Sequence, residues 1–501
     1  MNIADALSGR AELPGLRWVL LHGTPHRALR HELTTLLAAP TTLGSCRLRQ
    51  ARFTAGRKLL AYYDVSLRIQ AGKARYVRPI VVTWRADGKP DRHYPTAGLA
   101  DMQAEALRRR VAAPFLRLVA DAPAWGMHVQ VSPLDPCFRQ LVGLCVPEYV
   151  QGLLQRAEAA GGGFPGQPSA TRYRVTSIRY RPGKRHVLRY DSLEPRRRGT
   201  VFAKLYAGED GQRIFRLAAQ VANWLAEGHC GLASVRPLSY VAGDSLVLYP
   251  RVPGTPLHEH LHHRGRDLAP SLEQAGAGLH RLQKLPQSFA GTIEVHDFAM
   301  EVGEIVRASR HLSALLPAVG ATVDAILDRA QQLHERLPQE RPTFIHGDFK
   351  CEHLWATPDG LSLIDFDSCH LSDPALDVGK FLADLQLWYD AYALPGVDQA
   401  QERFLVGYGH RASDPRLIRA RLYEAIQLVK ITARRVGLFE HDWVSRTERL
   451  IGRAQAVMNN LHHSLGFLGA QLSSKALVVM FERARGVCER RDRFSAKGGR
   501  V

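Results

Sequence analysis

Cysteine is scarce in this chain. Seven are scattered among 501 residues, an odd number with no C-x-x-C pair. That argues against a disulfide framework or a structural zinc site, and leaves Cys46, Cys137, Cys145, Cys230, Cys351, Cys369 and Cys488 as small packing residues. Long apolar runs are missing too. No stretch reaches the ~20 residues that a membrane-spanning helix needs. The first residues, Met1-Asn2-Ile3-Ala4-Asp5, lack a basic segment followed by an apolar one. The expectation is a cytoplasmic protein with no transmembrane segment. Acidic residues are few, 48 against 67 Lys and Arg, for a formal charge of +19. The excess favours anionic partners. The arginines are nevertheless dispersed, with neither an interleaved aromatic stripe nor a concentrated basic helix, so nucleic acid is not the favoured partner. The densest basic stretch, Arg483 to Arg500, reads as a solvated end.

What the chain does have is one dense stretch, Phe344 to Leu385. It reads F-I-H-G-D-F-K-C-E-H, then L-S-L-I-D-F-D, then D-P-A-L-D-V-G-K-F-L-A-D-L. Two short apolar strands each end on a carboxylate, Asp348 and Asp365. Such a pair suits phosphoryl transfer. One acid orients an attacking hydroxyl, and the second, on the next strand, holds the metal that neutralises nucleotide phosphates. Positioning and charge then supply most of the rate.

The rest of the chain divides around this stretch. Gly161 to Pro168, G-G-G-F-P-G-Q-P, suits neither helix nor strand and marks a domain boundary. Tyr173–Tyr180 and His186–Asp191 alternate around the turn Arg181-Pro182-Gly183-Lys184 and predict a hairpin. Thr200–Tyr206 reads as a third strand carrying Lys204, Gln212–Ala226 as an amphipathic helix, and Ser245–Tyr249 as a strand that runs into a Pro-rich hinge. From Ala269 the periodicity is helical, with helices expected over 275–283, 298–316, 323–337, 378–392, 400–408, 414–436 and 444–466. Earlier, Arg52 to Asp64 echoes Arg179 to Asp191, and Ile80–Arg85 occupies the place of Val201–Tyr206, with Thr83 standing where Lys204 stands. Val129–Val131 then mirrors the Ser245 strand. Residues 1–160 therefore read as a degenerate copy of the small β lobe, lacking the lysine; two hairpins that share a turn by chance are the alternative.

Residues 170–465 resemble the aminoglycoside phosphotransferase family within the protein-kinase-like superfamily. H-G-D-F-K-C-E-H resembles its catalytic loop, Leu363-Ile364-Asp365-Phe366-Asp367 the counterpart of the kinase D-F-G segment, and Asp373-Pro374-Ala375-Leu376-Asp377 its downstream signature. The resemblance implies an α+β, two-lobed protein-kinase-like fold with a small β-rich lobe and a large helical lobe, here preceded by an extra β-rich N-terminal domain. The implied domains are 1–165, 166–252 and 253–501.

The resemblance also implies roles. Asp348 would receive or orient the acceptor proton, and Lys350 would meet the γ-phosphate. Asp365, with Asp367 and His353, would hold magnesium, or manganese instead. Lys204 would reach the α- and β-phosphates. Gly183, Lys184 and Arg185 would cover the phosphates with backbone amides and cations, although the turn lacks G-x-G-x-x-G spacing. The hinge around Tyr249 and Arg251 would hydrogen-bond the base. His346 and Asp377 would hold the loop backbone. Two departures stand out: His353 occupies the usual place of asparagine, and no helix glutamate is placed to pair with Lys204. The expected function is an ATP-dependent small-molecule kinase whose acceptor is a sugar-like or other hydroxylated metabolite. A strongly cationic aminoglycoside suits so basic a chain poorly. A nucleotide-binding or scaffolding pseudokinase is the alternative.

Overall fold

The computed structural model describes residues 2–471 except 70–74, 88–97, 160, 162–171, 195–198, 229–230, 264–266, 287–293 and 410–413. Most of the expected boundary segment, Cys230, Cys488 and the basic tail lie outside the described residues.

Three helices open the chain: α1 (Ile3–Ser8), α2 (Glu12–Leu20) and α3 (Thr24–Thr35). The sequence reading did not anticipate them. Pro14 and Gly15 interrupt the helical signal of α2, and the segment is helical because Leu13, Leu16, Val19 and Leu20 bury one stripe. A five-stranded antiparallel sheet follows: β1 (Thr41–Thr54), β2 (Lys58–Ile69), β3 (Arg75–Arg85), helix α4 (Leu99–Arg108), then β4 (Val119–Ala122) and β5 (Met127–Val131). Its order is β1-β2-β3-β5-β4. Helix α5 (Pro147–Ala159) leads to a second sheet of β6 (Tyr173–Arg181), β7 (Arg185–Ser192), β8 (Thr200–Leu205), β10 (Ser239–Val241) and β11 (Leu246–Pro250), with helix α6 (Asp210–Glu227) and the short β9 (Leu232–Ser234), which joins a different sheet, between β8 and β10. Its order is β10-β11-β8-β7-β6.

The two sheets share one topology. In each, a hairpin is followed by a third strand, a helix, an edge strand and a central strand. Both hairpins turn on a glycine of positive φ, +70° at Gly56 and +69° at Gly183. Thr83 lies opposite Leu60 and His128, while Lys204 lies opposite Val187 and Val247, so the registers agree as well.

Alternation along β8 sends Val201, Ala203 and Leu205 to one face and Phe202 and Lys204 to the other. The first face joins Leu188, Tyr190, Leu246 and Leu248 in a core that also takes Tyr62 and Val81 from the first sheet and Leu153 and Leu154 from α5. Each such side chain contributes roughly 1.5–3 kcal/mol of burial. The second face, with Lys204, looks toward the large lobe.

The large lobe begins after a hinge, with β12 (Thr255–Pro256), α7 (Leu257–Leu261) and α8 (Ala269–Leu282), then α9 (Phe298–Leu315) and α10 (Pro317–Arg336). Four short strands follow: β13 (Thr343–Ile345), β14 (Leu354–Thr357), β15 (Gly360–Leu363) and β16 (His370–Ser372). The lobe closes with α11 (Ala375–Ala391), α12 (Val397–Gly409), α13 (Asp414–Arg435) and α14 (Trp443–Gln471). One expectation is corrected here. Asp348 and Asp365 do not come from neighbouring strands: β13 pairs with β16, whereas β15 pairs with β14 and β9. This is a two-lobed α+β architecture, a small β-rich lobe and a large helical one, preceded by an extra β-rich unit. Among the described residues no helix is long and apolar enough to cross a membrane.

Candidate active site

Strand β13 buries Phe344 and Ile345 and ends at His346-Gly347-Asp348. Gly347 has φ +70°, and a Cβ there would sit 2.1 Å from the Ser368 carbonyl oxygen, so only glycine lets this loop pass the turn after Asp365. His346 is fully buried, and burial pushes its imidazole down to about 4. Its Nδ1 accepts the Asp348 N–H at 3.2 Å and its Nε2 lies 3.1 Å from the Ile364 carbonyl. A neutral ring protonated at Nε2 thus ties the two acid-bearing segments together.

Helix α11 holds the same loop from below. Asp377 accepts the N–H groups of His346 and Gly347 at 2.6 and 2.9 Å. Burial pushes its carboxyl up to about 6. Lys380 donates to the Gly347 carbonyl at 2.7 Å and to Asp348 Oδ1 at 2.8 Å. Asp384 accepts the Cys351 N–H at 2.8 Å and pairs with Arg435. These residues stand at i, i+3 and i+7, one face of a helix.

Asp348 also meets Lys350 through Oδ2 at 2.9 Å. Burial pushes its carboxyl up, but Lys380, His353 and Lys350 together hold it well below the usual carboxylate range. Asp365 meets Lys204 at 2.7 Å and Arg185 at 3.7 Å. Burial opposes its ionisation, and Lys204, His353 and Arg185 outweigh it and hold the group well below its ordinary value. Asp367 takes Lys204 at 2.7 Å, Arg185 at 2.5 Å and the Tyr206 hydroxyl at 2.8 Å. Lys204 therefore finds its partners in the large lobe and not on α6, which accounts for the missing glutamate.

His353 bridges the two halves. Its Nδ1 lies 3.0 Å from the Asp348 carbonyl and its Nε2 3.6 Å from Asp365 Oδ2. Burial, with Lys350 beside it, pushes its imidazole down to about 3. With Nδ1–H donating, Nε2 presents a lone pair to a carboxylate oxygen, an arrangement that a cation between them would satisfy. Among the described residues, no group of three His, Cys, Asp or Glu is drawn together as a metal cluster. Lys204 and Arg185 neutralise the acids instead.

The Gly183 turn differs from its expected use. The Gly183 N–H donates to Asp135 at 2.8 Å and the Lys184 N–H to the Arg181 carbonyl at 3.0 Å. Both amides are committed, so the turn offers the cleft the side-chain cations of Lys184 and Arg185 and not a cradle of amides. Tyr249 lies beside Tyr206 on the lysine face of the sheet, where burial pushes its phenol up. Arg251 lines a cavity of about 1430 Å³ along the hinge, together with Asp191, Thr200, Phe215, Tyr240 and Ser362. The paired acids are not among its walls. Cys351 and Cys369 are buried, as packing residues should be.

Residues 181–423 match the family model described as the phosphotransferase enzyme family. Those residues, just under half of the chain, are similar to that family. No curated protein matches the chain. Solved structures similar to it include a spectinomycin phosphotransferase in complex with ADP and spectinomycin, 13% identical, covering 57% of this chain and 93% of that one at a TM-score of 0.40. A choline/ethanolamine kinase family protein from Mesorhizobium loti is 17% identical, with 62% and 95% covered and a TM-score of 0.39. An amicoumacin kinase with AMP-PNP and Ca2+ is 14% identical, with 61% and 93% covered and a TM-score of 0.42. Likeness at this level assigns neither substrate nor cofactor to this chain.

Sequence reading missed Lys380 and Asp384 in this domain. Only the fold shows why they matter: residues 375–387 are all buried, and a lysine and an aspartate inside that run require partners.

Proposed function

We propose that the chain is an ATP-dependent phosphotransferase that moves the γ-phosphoryl group to a hydroxyl of a sugar-like or other hydroxylated metabolite. The observation that carries this reading is one linked set across the interlobe cleft, Lys204–Asp365–His353–Asp348–Lys350. Asp348 would orient the acceptor hydroxyl. Its low basicity suits a loose transition state, in which the nucleophile needs direction more than early deprotonation. Lys204, Arg185, Lys184 and Lys350 are the cations available to the triphosphate, and the hinge around Tyr249 and Arg251 would seat the base.

The donor set fits a hard divalent cation. Asp365 and Asp367 offer carboxylate oxygens, and the bare Nε2 of His353 offers a nitrogen that tilts the set from magnesium toward manganese. When bound, the metal supplies charge neutralisation at the phosphate oxygens. We take residues 1–165 as a degenerate copy of the small lobe, supported by the shared strand order and register. Residues 166–252 are then the small lobe and 253–501 the helical lobe, of a cytoplasmic enzyme. His353 in the place of asparagine favours one competing reading, a nucleotide-binding protein without turnover.

The test is transfer of label from radioactive ATP to a panel of hydroxylated acceptors, under magnesium and under manganese. Asp348→Ala and Asp365→Ala should each lower transfer by about 10²-fold or more with the circular dichroism unchanged. Near-parent transfer in either variant refutes the site. Nucleotide binding by the parent with no transfer to any acceptor or to water favours the competing reading.

A further inference from the structure

Asp135 belongs to the N-terminal unit, on the segment leaving β5, yet its side chain reaches two groups of the small lobe. Its Oδ2 accepts the Gly183 N–H at 2.8 Å and lies 2.6 Å from His186 Nε2. Its Oδ1 accepts the Cys137 N–H at 3.0 Å. The side chains of His186 and Asp135 are 1% and 0% exposed. Around them, Phe138 meets the His186 ring edge-on at 4.9 Å, Gln130 donates to the Tyr180 hydroxyl at 3.0 Å, and Arg181 donates to Gln50 at 2.7 Å. Residues from β1, from β5 and from the segment beyond it therefore grip both sides of the turn that presents Lys184 and Arg185.

That turn needs a grip. Gly183 is in the left-handed region, which residues other than glycine rarely adopt, and the tip carries two adjacent cations. Lys184 also stands within electrostatic range of Arg52, Lys58, Arg181 and Arg434. Like charges so placed push one another apart until an anion arrives. A carboxylate is costly to bury unless it is multiply hydrogen-bonded, and this one takes its bonds at the base of the turn.

We propose that Asp135 is a positioning residue: it fixes the Gly183 turn so that Lys184 and Arg185 are already placed for the phosphates when a nucleotide binds. Arg185 reaches Asp367 from this position at 2.5 Å. The brace lowers the ordering cost of phosphate binding, which is the general effect of preorganisation. It does not touch the hinge, so it leaves recognition of the base alone. This inference rests on the reading of the cleft as a nucleotide site.

Calorimetric titration of the full-length chain with ATP and with adenosine separates the two. Asp135→Ala should weaken ATP binding about ten-fold, the scale of losing one or two charge-assisted hydrogen bonds, and leave adenosine binding unchanged. Asp135→Asn, which keeps one acceptor oxygen, should fall between, and serves alone if the alanine variant does not fold. Amide exchange at residues 182–186 should quicken in both variants. If the parent binds neither ligand, the nucleotide reading falls and the brace with it. If the parent binds both while the variants lose neither, or lose both equally, the brace alone is overturned.

Discussion

Two ammonium groups share Asp348, and they come from very different places. Lys350 is two residues away in the same loop, whereas Lys380 rises from α11. Lys380 is the strongest of the cations that keep Asp348 ionised. Lys380→Met should therefore move the acidic limb of the kcat/KM profile upward by roughly one pH unit or more, so that activity at pH 5 falls further than activity at pH 8. Superposable profiles would show that Lys380 acts on the fold alone. The motif acids were legible because each ends an apolar run and lies within a few residues of its fellows. Lys204 was legible because a charge inside an apolar strand demands a reason. Lys380 and Asp135 were not, because their partners lie tens of residues away and only the folded chain brings them near.

At the scale of elements, α11 is the beam on which the Asp348 loop rests. Asp377 secures one end of the loop and Asp384 the other. Asp384 is fully buried and pairs with Arg435, so Asp384→Ala leaves Arg435 with Glu352 as its ion partner and strips the Cys351 amide of its acceptor. The expected loss is about 1–3 kcal/mol in urea unfolding, the scale of leaving a buried donor without its acceptor. A loss below 1 kcal/mol would mean that water or a neighbour replaces the carboxylate. The long helices of the large lobe were readable from a 3.6-residue period, and most begin and end within a few residues of expectation. The two- and three-residue strands β9, β10, β12, β13 and β16 were not, since so short a segment has no period to read. Helix α2 was hidden by its own Pro14-Gly15.

Across the whole molecule, buried imidazoles set the response to acid. Burial pushes His346, His311 and His370 down to about 4 and His353 to about 3. Their unfolded value is about 6.5. Between that value and the folded one, the unfolded chain binds the extra protons, so stability is full above about pH 6.5 and falls as pH drops. Asp377 opposes this: its carboxyl, raised to about 6 by burial, keeps a proton in the folded state that the unfolded chain releases. Four imidazoles outweigh one carboxyl, and the net loss from pH 7 to pH 5 should be on the order of 6 kcal/mol. Urea midpoints at the two pH values measure it, and a flat profile would mean that these rings are hydrated or paired when folded.

The core that Tyr62 and Val81 share with Leu188 and Leu248 has a further consequence. The front third is no passenger that can be clipped away to leave a minimal catalyst. Removing it would strip the roof from the remaining sheet, wet a broad oily surface, and leave Gly183 and His186 holding on to nothing.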